Sequence, residues 1–269
     1  MTSPVLEANN LMLGYADGAG WNPVLEDFST SLQAGEIVTV LGPSGVGKSS
    51  LLRVLGGLQS PQRGDVTLFN QPHKKPHPRV AVAFQDPCLL PWLNLEQNVG
   101  FGLNFASQPV HSTAQRKEKV AHALEAVGLT HARRRYPKEL SGGMAQRTAL
   151  ARCLAREPSV LLLDEPFGAL DEVTRGEMQA LLIDIVKARH TAVLLITHDI
   201  DEALQLSQRV LLLGGAPATT LNEWSIDLPY PRDDHIEALG LLRIDILKTL
   251  RHSSRKVTND LIKGDLACA

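Results

Sequence analysis

Gly42-Pro43-Ser44-Gly45-Val46-Gly47-Lys48-Ser49 fits the pattern G-x-x-x-x-G-K-[ST], and Ser50 follows it. Glycines let a backbone bend until successive N–H groups point inward at anionic oxygens. A helix starting at Lys48 adds its own free N–H groups and the positive end of its dipole. Lys48 supplies a point charge for terminal phosphates, and the Ser49 hydroxyl can ligate Mg²⁺. The chemistry on offer is phosphate binding. Val160-Leu-Leu-Leu-Asp164-Glu165-Pro166 ends an apolar run in two carboxylates. Asp164 can hold Mg²⁺, and Glu165 can take a proton from water as a general base. By itself such a pair is an ordinary solvated turn; the phosphate loop upstream gives it meaning. Ala192-Val-Leu-Leu-Ile-Thr-His198 ends likewise in a polar group that can reach a terminal phosphate or Glu165. Gln85, after Val80-Ala-Val-Ala-Phe84, can bond the Mg²⁺ shell or the attacking water.

A second anion site has no loop of its own. Leu140-Ser141-Gly142-Gly143-Met144-Ala145-Gln146-Arg147 opens a helix with a capping serine and two glycines that leave its N-terminus open. The alternative is a capped helix whose glycines serve only its shape.

These groups need elements to carry them. Apolar runs at Ile37–Leu41, Val80–Phe84, Val160–Leu163, Ala192–Thr197 and Val210–Leu213 read as buried strands. Helical spacing appears over Lys48–Leu55, Gln115–Val127 and Ser141–Leu154, and again over Ile236–Leu250. Strands alternating with helices predict an α/β fold with a parallel sheet, whose ligands lie beyond the carboxyl ends of the strands. Residues 85 to about 140 carry few strand signals and read as a helical subdomain. Residues 214–231, ending in Pro229-Tyr-Pro-Arg232, read as a Gly/Pro-containing linker.

The chain has 269 residues, 27 basic and 29 acidic, for a net charge of −2. That argues against nucleic-acid binding through bulk positive charge, and none is expected. No stretch nears the ~18 apolar residues of a membrane span. Met1-Thr-Ser-Pro-Val-Leu-Glu lacks a basic start and an apolar segment, so no signal peptide is expected. Cys88, Cys153 and Cys268 are too scattered for a disulfide framework or a zinc site, and Cys268 reads as a tail residue.

The phosphate loop, the Leu140–Arg147 helix start, the acidic strand end and His198, in this order, resemble the ATP-binding subunit of ATP-binding cassette (ABC) transporters over residues 5 to about 215. The Leu140–Arg147 segment matches that family's signature sequence. The resemblance implies a RecA-like P-loop NTPase core, a small antiparallel β part and a helical subdomain at about 86–157, together the nucleotide-binding domain 1–215. Residues 216–269 would be linker and C-terminal helical extension. It also implies ATP and Mg²⁺ as ligands, and a second copy of the chain placed head to tail. Ser141, Gly142 and Gly143 of each copy would then close over the partner's nucleotide, with Asp171 in the loop joining the two sites. Tyr15 resembles the aromatic that stacks on adenine, with Trp21 as a competitor.

One cassette without a membrane span is similar to the separate ATPase subunit of bacterial importers, peripheral at the cytoplasmic face of the inner membrane. Leu89-Leu-Pro-Trp92, Leu95-Glu-Gln-Asn98-Val99, Pro166 to Arg175 and Asp201-Glu202-Ala203-Leu204 resemble the nitrate, sulfonate and taurine group. A pyrimidine-precursor importer, or a soluble ABC ATPase outside transport, is the alternative. The likeness implies a multispan permease docking near Gln85–Asn98 and, through it, an extracytoplasmic solute-binding protein. Trp92 would be an exposed anchor there, or a core residue. A small-molecule kinase would leave Ser141 to Arg147 unexplained. His73 and His77 read as parts of a solvated Pro-rich loop rather than metal ligands, and Arg133-Arg-Arg135 as a solvated basic turn.

Overall fold

Three short strands lack any inside–outside alternation: β3 (Ile37–Leu41), β7 (Val160–Asp164) and β8 (Ala192–Ile196) are buried at all five positions each. Such strands must be covered on both faces. The computed structural model describes residues 3–18 and 20–267, and the side chains of all of these but Asp17 and 253–267. Cys268 lies outside the described residues. Around the three strands run β6 (Val80–Ala83) and β9 (Arg209–Gly215), making a parallel block in the order β9-β3-β8-β7-β6. Its side chains alternate between two cores. Leu161, Leu163, Val193 and Leu195 join the core under the helical subdomain. Val160, Leu162, Ala192 and Leu194 join the core under α1 (Lys48–Leu55), where Leu51, Leu52 and Leu55 sit.

The antiparallel part is built from β1 (Leu6–Asp17), β2 (Gly20–Leu32), β4 (Arg63–Leu68) and the two-residue β5 (Gln71–Pro72). It is not a separate sheet. A strand β10 (Ala218–Ser225) pairs antiparallel with β9 and parallel with β2 through Ala218 and Leu25, fusing all ten strands. Here the linker expected over 214–231 is corrected, since residues 218–225 are sheet. Only Ala218 and Trp224 of β10 are buried, and its pairing shifts between Thr220 and Asn222, so the alternation that marks a strand is absent.

From residue 86 to 157 no strand occurs among the described residues; α2 (Leu95–Gly100), α3 (Thr113–Ala126) and α4 (Gly142–Leu154) fill the segment. Asn94 with Gln97 and Ser112 with Gln115 make capping boxes that start α2 and α3. Buried Asn98 accepts from the Leu90 amide and donates to the carbonyls of Leu90, Leu93 and Asn94, fixing the loop that carries Trp92. Trp92 itself is 69% exposed, which excludes the core reading. Helices α5 (Glu172–Arg189), α6 (Ile200–Leu206) and α7 (Ile236–Ala267) complete the chain. Leu239 and Ile246 of α7 pack with Trp224, Ile226 and the Ala203–Leu204 face of α6 in a third core.

The 226–235 strap before α7 is tied down by Arg232. Its guanidinium, 2% exposed, donates to the carbonyls of Leu204 (2.6 Å), Ser207 (2.6 Å), Ile226 (3.3 Å) and Leu228 (3.2 Å), and stacks on Tyr230 with 4.6 Å to the ring centre. The Tyr230 hydroxyl donates to the Leu206 carbonyl. His73 is a second correction: it is 6% exposed, wedged beside Gly57, and not solvated. His77 is half-buried, and Arg133–Arg135 lie in solvent as expected.

Candidate functional site

The phosphate loop joins β3 to α1. Gly45 and Gly47 have φ of +85° and +91°, a region closed to most side chains. A Cβ on Gly47 would come within 2.9 Å of Val24 Cγ1, so the loop rests directly on the β1–β2 hairpin. Pro43, Ser44, Gly45 and Ser49 are exposed, and Gly42 closes the loop at the buried end. Val46 packs partly into the α1 core, while Ser50 sits in the first turn of α1, half-buried. Lys48 Nζ donates to the carbonyls of Gly42 (2.7 Å) and Pro43 (2.8 Å). The ammonium thus bridges the first two residues of the loop. Desolvation lowers its pKa, and the nearby Glu165 and Asp164 carboxylates act against that.

The neighbouring strands β3, β8, β7 and β6 end side by side, and each delivers one part of the site. Asp164, buried at the end of β7, has the Ser49 hydroxyl among the groups that favour its charged form. Burial raises its pKa; the Glu165 charge raises it further, while Ser49, Lys48 and Arg53 lower it. A hydroxyl and a carboxylate side by side are hard oxygen donors of the kind Mg²⁺ prefers, so this pair fits the ion. Glu165 follows with φ of +46°, the left-handed region, at a cost of about 1–3 kcal/mol. Its N–H donates to the Ile196 carbonyl on β8 (2.8 Å). Its side chain is held at both ends: Gln85 Nε2 donates to one carboxylate oxygen at 3.1 Å, and His198 Nδ1 lies 3.0 Å from the other. Gln85, Glu165 and His198, 80 and 33 residues apart, thus form one chain of contacts.

The helix start at Ser141 is capped as expected, Ser141 Oγ accepting from the Met144 amide at 3.3 Å. Cβ atoms on Gly142 and Gly143 would point at Ala169 and Leu170, at 3.7 Å and 3.1 Å. The start of α4 is therefore packed against the loop leading to Asp171. Asp171 caps α5, accepting from the Thr174 amide at 3.0 Å and the Thr174 hydroxyl at 2.9 Å, and these bonds lower its pKa.

Tyr15 and Trp21 lie on opposite faces of the β1–β2 hairpin. Along β1, Tyr15 alternates in step with Leu11 and Leu13, whose side chains enter the core shared with α1. Trp21 pairs with Ala16 and covers Gly14, on the far face. Tyr15 is 58% exposed and stands on the face that meets the phosphate-loop helix. Among the described residues, no group of three or more His, Cys, Asp or Glu side chains is arranged to hold a metal ion by itself.

Two residues escaped the sequence reading. Gln146, buried in the second turn of α4, donates through Nε2 to the backbone carbonyl of Glu165 at 2.8 Å. Arg152, further along the same helix, donates to the carbonyls of Pro87 (2.7 Å) and Cys88 (3.0 Å), just past Gln85. Gln146 is a long polar side chain on a buried face that otherwise holds Thr148, Ala149, Leu150, Ala151, Cys153 and Leu154, and Arg152 is half-buried beside it; only that misfit with the apolar face could have flagged them.

The ABC transporter family model matches residues 25–168. An aliphatic sulfonates import ATP-binding protein of Burkholderia lata is 46% identical over 228 residues, covering 85% of this chain and 81% of that protein. A nitrate import ATP-binding protein of Synechococcus elongatus is 45% identical over 215 residues, covering 80% and 78%. Among solved structures, a dimeric ATP-binding cassette in a post-hydrolysis state, bound to ADP and Pi, superimposes with a TM-score of 0.76 at 28% identity, over 83% of this chain and all of that one.

Proposed function

The chain belongs to the ABC transporter family, and on that premise we propose that it is the ATP-hydrolysing subunit of an importer for a small anionic solute such as a sulfonate, taurine or nitrate. The observation that carries the hydrolytic part is Glu165, clasped between Gln85 and His198 beside the Ser49–Asp164 pair and Lys48. The solute class rests on the similarity to the sulfonate and nitrate import proteins.

In this reading the Gly42–Ser50 loop and the N-terminus of α1 hold the phosphates, and Tyr15 stacks on the adenine. Ser49 and Asp164 hold Mg²⁺, which offsets phosphoryl charge when bound. Lys48 leaves the carbonyls of Gly42 and Pro43 for the terminal phosphates. Glu165 accepts the proton of the attacking water; the new bond joins that oxygen to the γ-phosphorus, and ADP leaves with the bridging oxygen. Gln85 and His198 fix the carboxylate, and His198 can also donate to the γ-phosphate. In the same reading a second copy of the chain is set head to tail, with Ser141, Gly142 and Gly143 of each copy closing over the other's nucleotide; that a cassette similar to this chain is dimeric supports a dimer. Exposed Trp92 on its pinned loop suits docking by a membrane-spanning permease, which an extracytoplasmic solute-binding protein would load. None of the described helices is long and apolar enough to cross a membrane, so the site at the membrane's cytoplasmic side depends on that permease.

The test is Glu165→Gln. Losing a general base is expected to cost about 10²–10⁴ in kcat, while ATP still binds and gathers the variant into dimers on size exclusion. Turnover at the wild-type rate would remove Glu165 from the reaction. Purification of tagged protein from solubilised membranes is expected to bring a multispan permease; only soluble partners would overturn the importer reading.

A further inference from the structure

Gln146 occupies a position that nothing in phosphate binding requires. It is buried, it lies one turn from the open end of α4, and its amide ends on the carbonyl of the residue that carries the base. That residue, Glu165, sits in a left-handed conformation which relaxes unless its surroundings hold it. Its N–H is anchored to β8, but among the described residues its carbonyl otherwise has only a long 3.4 Å bond from Gly168 within the same turn. The 2.8 Å bond from Gln146 is the one that fixes the peptide plane from outside.

The first turn of α4 is also pressed onto the same loop. Gly143 has no room for a methyl group without crowding Leu170 and Ala169. Farther along, Arg152 grips the carbonyls of Pro87 and Cys88 and so fixes the loop that presents Gln85. One helix therefore holds the backbone of Glu165 and the loop of its neighbour Gln85. A shift of α4 by a fraction of an ångström must be felt at both.

We propose that Gln146 is a positioning residue that couples the open end of α4, which meets the partner's nucleotide, to the orientation of Glu165 on its own chain. The inference rests on the head-to-tail reading above. Nucleotide under Ser141 and Gly143 draws α4 toward the partner; through Gln146 this aligns the base of the opposite site. Each site then works at full rate only when the other is filled.

Gln146→Leu removes the donor at similar size, and Gln146→Glu keeps the shape while setting an acceptor against the carbonyl. The purified full chain and both variants are compared in kcat, Hill coefficient for ATP, affinity for a fluorescent ATP analogue and melting temperature. A misplaced reacting group loses up to about a hundredfold, so kcat is expected to fall ten- to a hundredfold, with the Hill coefficient dropping toward that of independent sites. Analogue affinity and melting temperature should stay near wild type in at least the Leu variant, since the Glu variant buries a carboxylate against a carbonyl. Wild-type kcat and Hill coefficient in both variants would overturn the proposal. So would a loss of kcat that tracks a loss of analogue affinity and melting temperature in both, since that is a packing role alone. Glu165→Gln separates the two layers. If it dimerises with ATP while the Gln146 variants remain cooperative, Gln146 alone loses its role. If it stays monomeric and the wild type shows no cooperativity, the head-to-tail reading falls and takes this proposal with it.

Discussion

Replacing Arg232 with methionine keeps most of the aliphatic stem and removes the guanidinium fork. Two of its four bonds, to the carbonyls of Leu204 and Ser207, are short, and they lie at the C-terminal end of α6, where helix carbonyls have no partner of their own. A hydrogen bond to a charged group contributes ~1.5–3 kcal/mol net. Two such bonds give ~3–6 kcal/mol; the bonds to Ile226 and Leu228, at 3.3 Å and 3.2 Å, add less. Against this stands the desolvation of the guanidinium, whose pKa burial lowers, and which the variant no longer suffers. A net loss of about 3 kcal/mol is expected, or a fall in melting temperature of about 6–12 °C for a chain of this size. Thermal melts and urea titrations of the wild type, Arg232→Met and Arg232→Lys measure it. Lysine can satisfy one carbonyl as a point charge but cannot fork, so it should recover less than half. A methionine variant melting within about 2 °C of wild type would refute the reasoning outright. A lysine variant equal to wild type would show that charge, and not the shape of the fork, secures the strap.

Asp164→Asn should abolish hydrolysis yet stabilise the nucleotide-free protein. Because Asp164 keeps its proton to higher pH in the folded than in the unfolded chain, its contribution to stability falls as pH rises through the interval between those two values. At neutral pH the variant should melt higher than wild type, the gain fading as pH drops into the ordinary carboxylate range; a lower melting temperature at pH 7 would contradict it. Tyr15→Ala is expected to raise KM for ATP about tenfold, since stacking on a base is worth ~1–3 kcal/mol, while Trp21→Ala changes it less than twofold; the reverse order would move the base to the other face of the hairpin. Trp92→Ser should leave melting temperature and the ATPase of the isolated chain unchanged and abolish co-purification with the permease; retained co-purification would remove Trp92 from the docking surface.

The parts that sequence made legible are those whose signals are local. Ile37–Leu41 and Val160–Asp164 announce buried strands by their unbroken apolar runs, and Gly42–Ser49 fixes a loop by glycine positions alone. Ser141 and Asp171 cap helices by residue type. What stayed hidden depends on distant partners. β10 is half solvent-facing, with polar residues where alternation would show, and it becomes a strand only because β9 and β2 leave a gap for it. Arg232 reads as a charge after two prolines and ends up buried, since carbonyls 25 and 28 residues upstream await it. Gln146 looks like any polar helix residue until Glu165, 19 positions on, is placed beneath it.

The fusion of ten strands by β10 bears on how the chain can be trimmed. A cut at residue 215, just past the last parallel strand, looks harmless from sequence, yet it would strip β9 and β2 of a hydrogen-bonded neighbour at once. Two raw edges would then face water, one of them on the apolar Val210–Leu213 run, and would offer themselves to other molecules as templates for pairing. Shortened versions of this protein should accordingly precipitate rather than simply lose activity. Any minimal working fragment must extend at least through Trp224 and Ile226, whose side chains fill the space between β9 and α7.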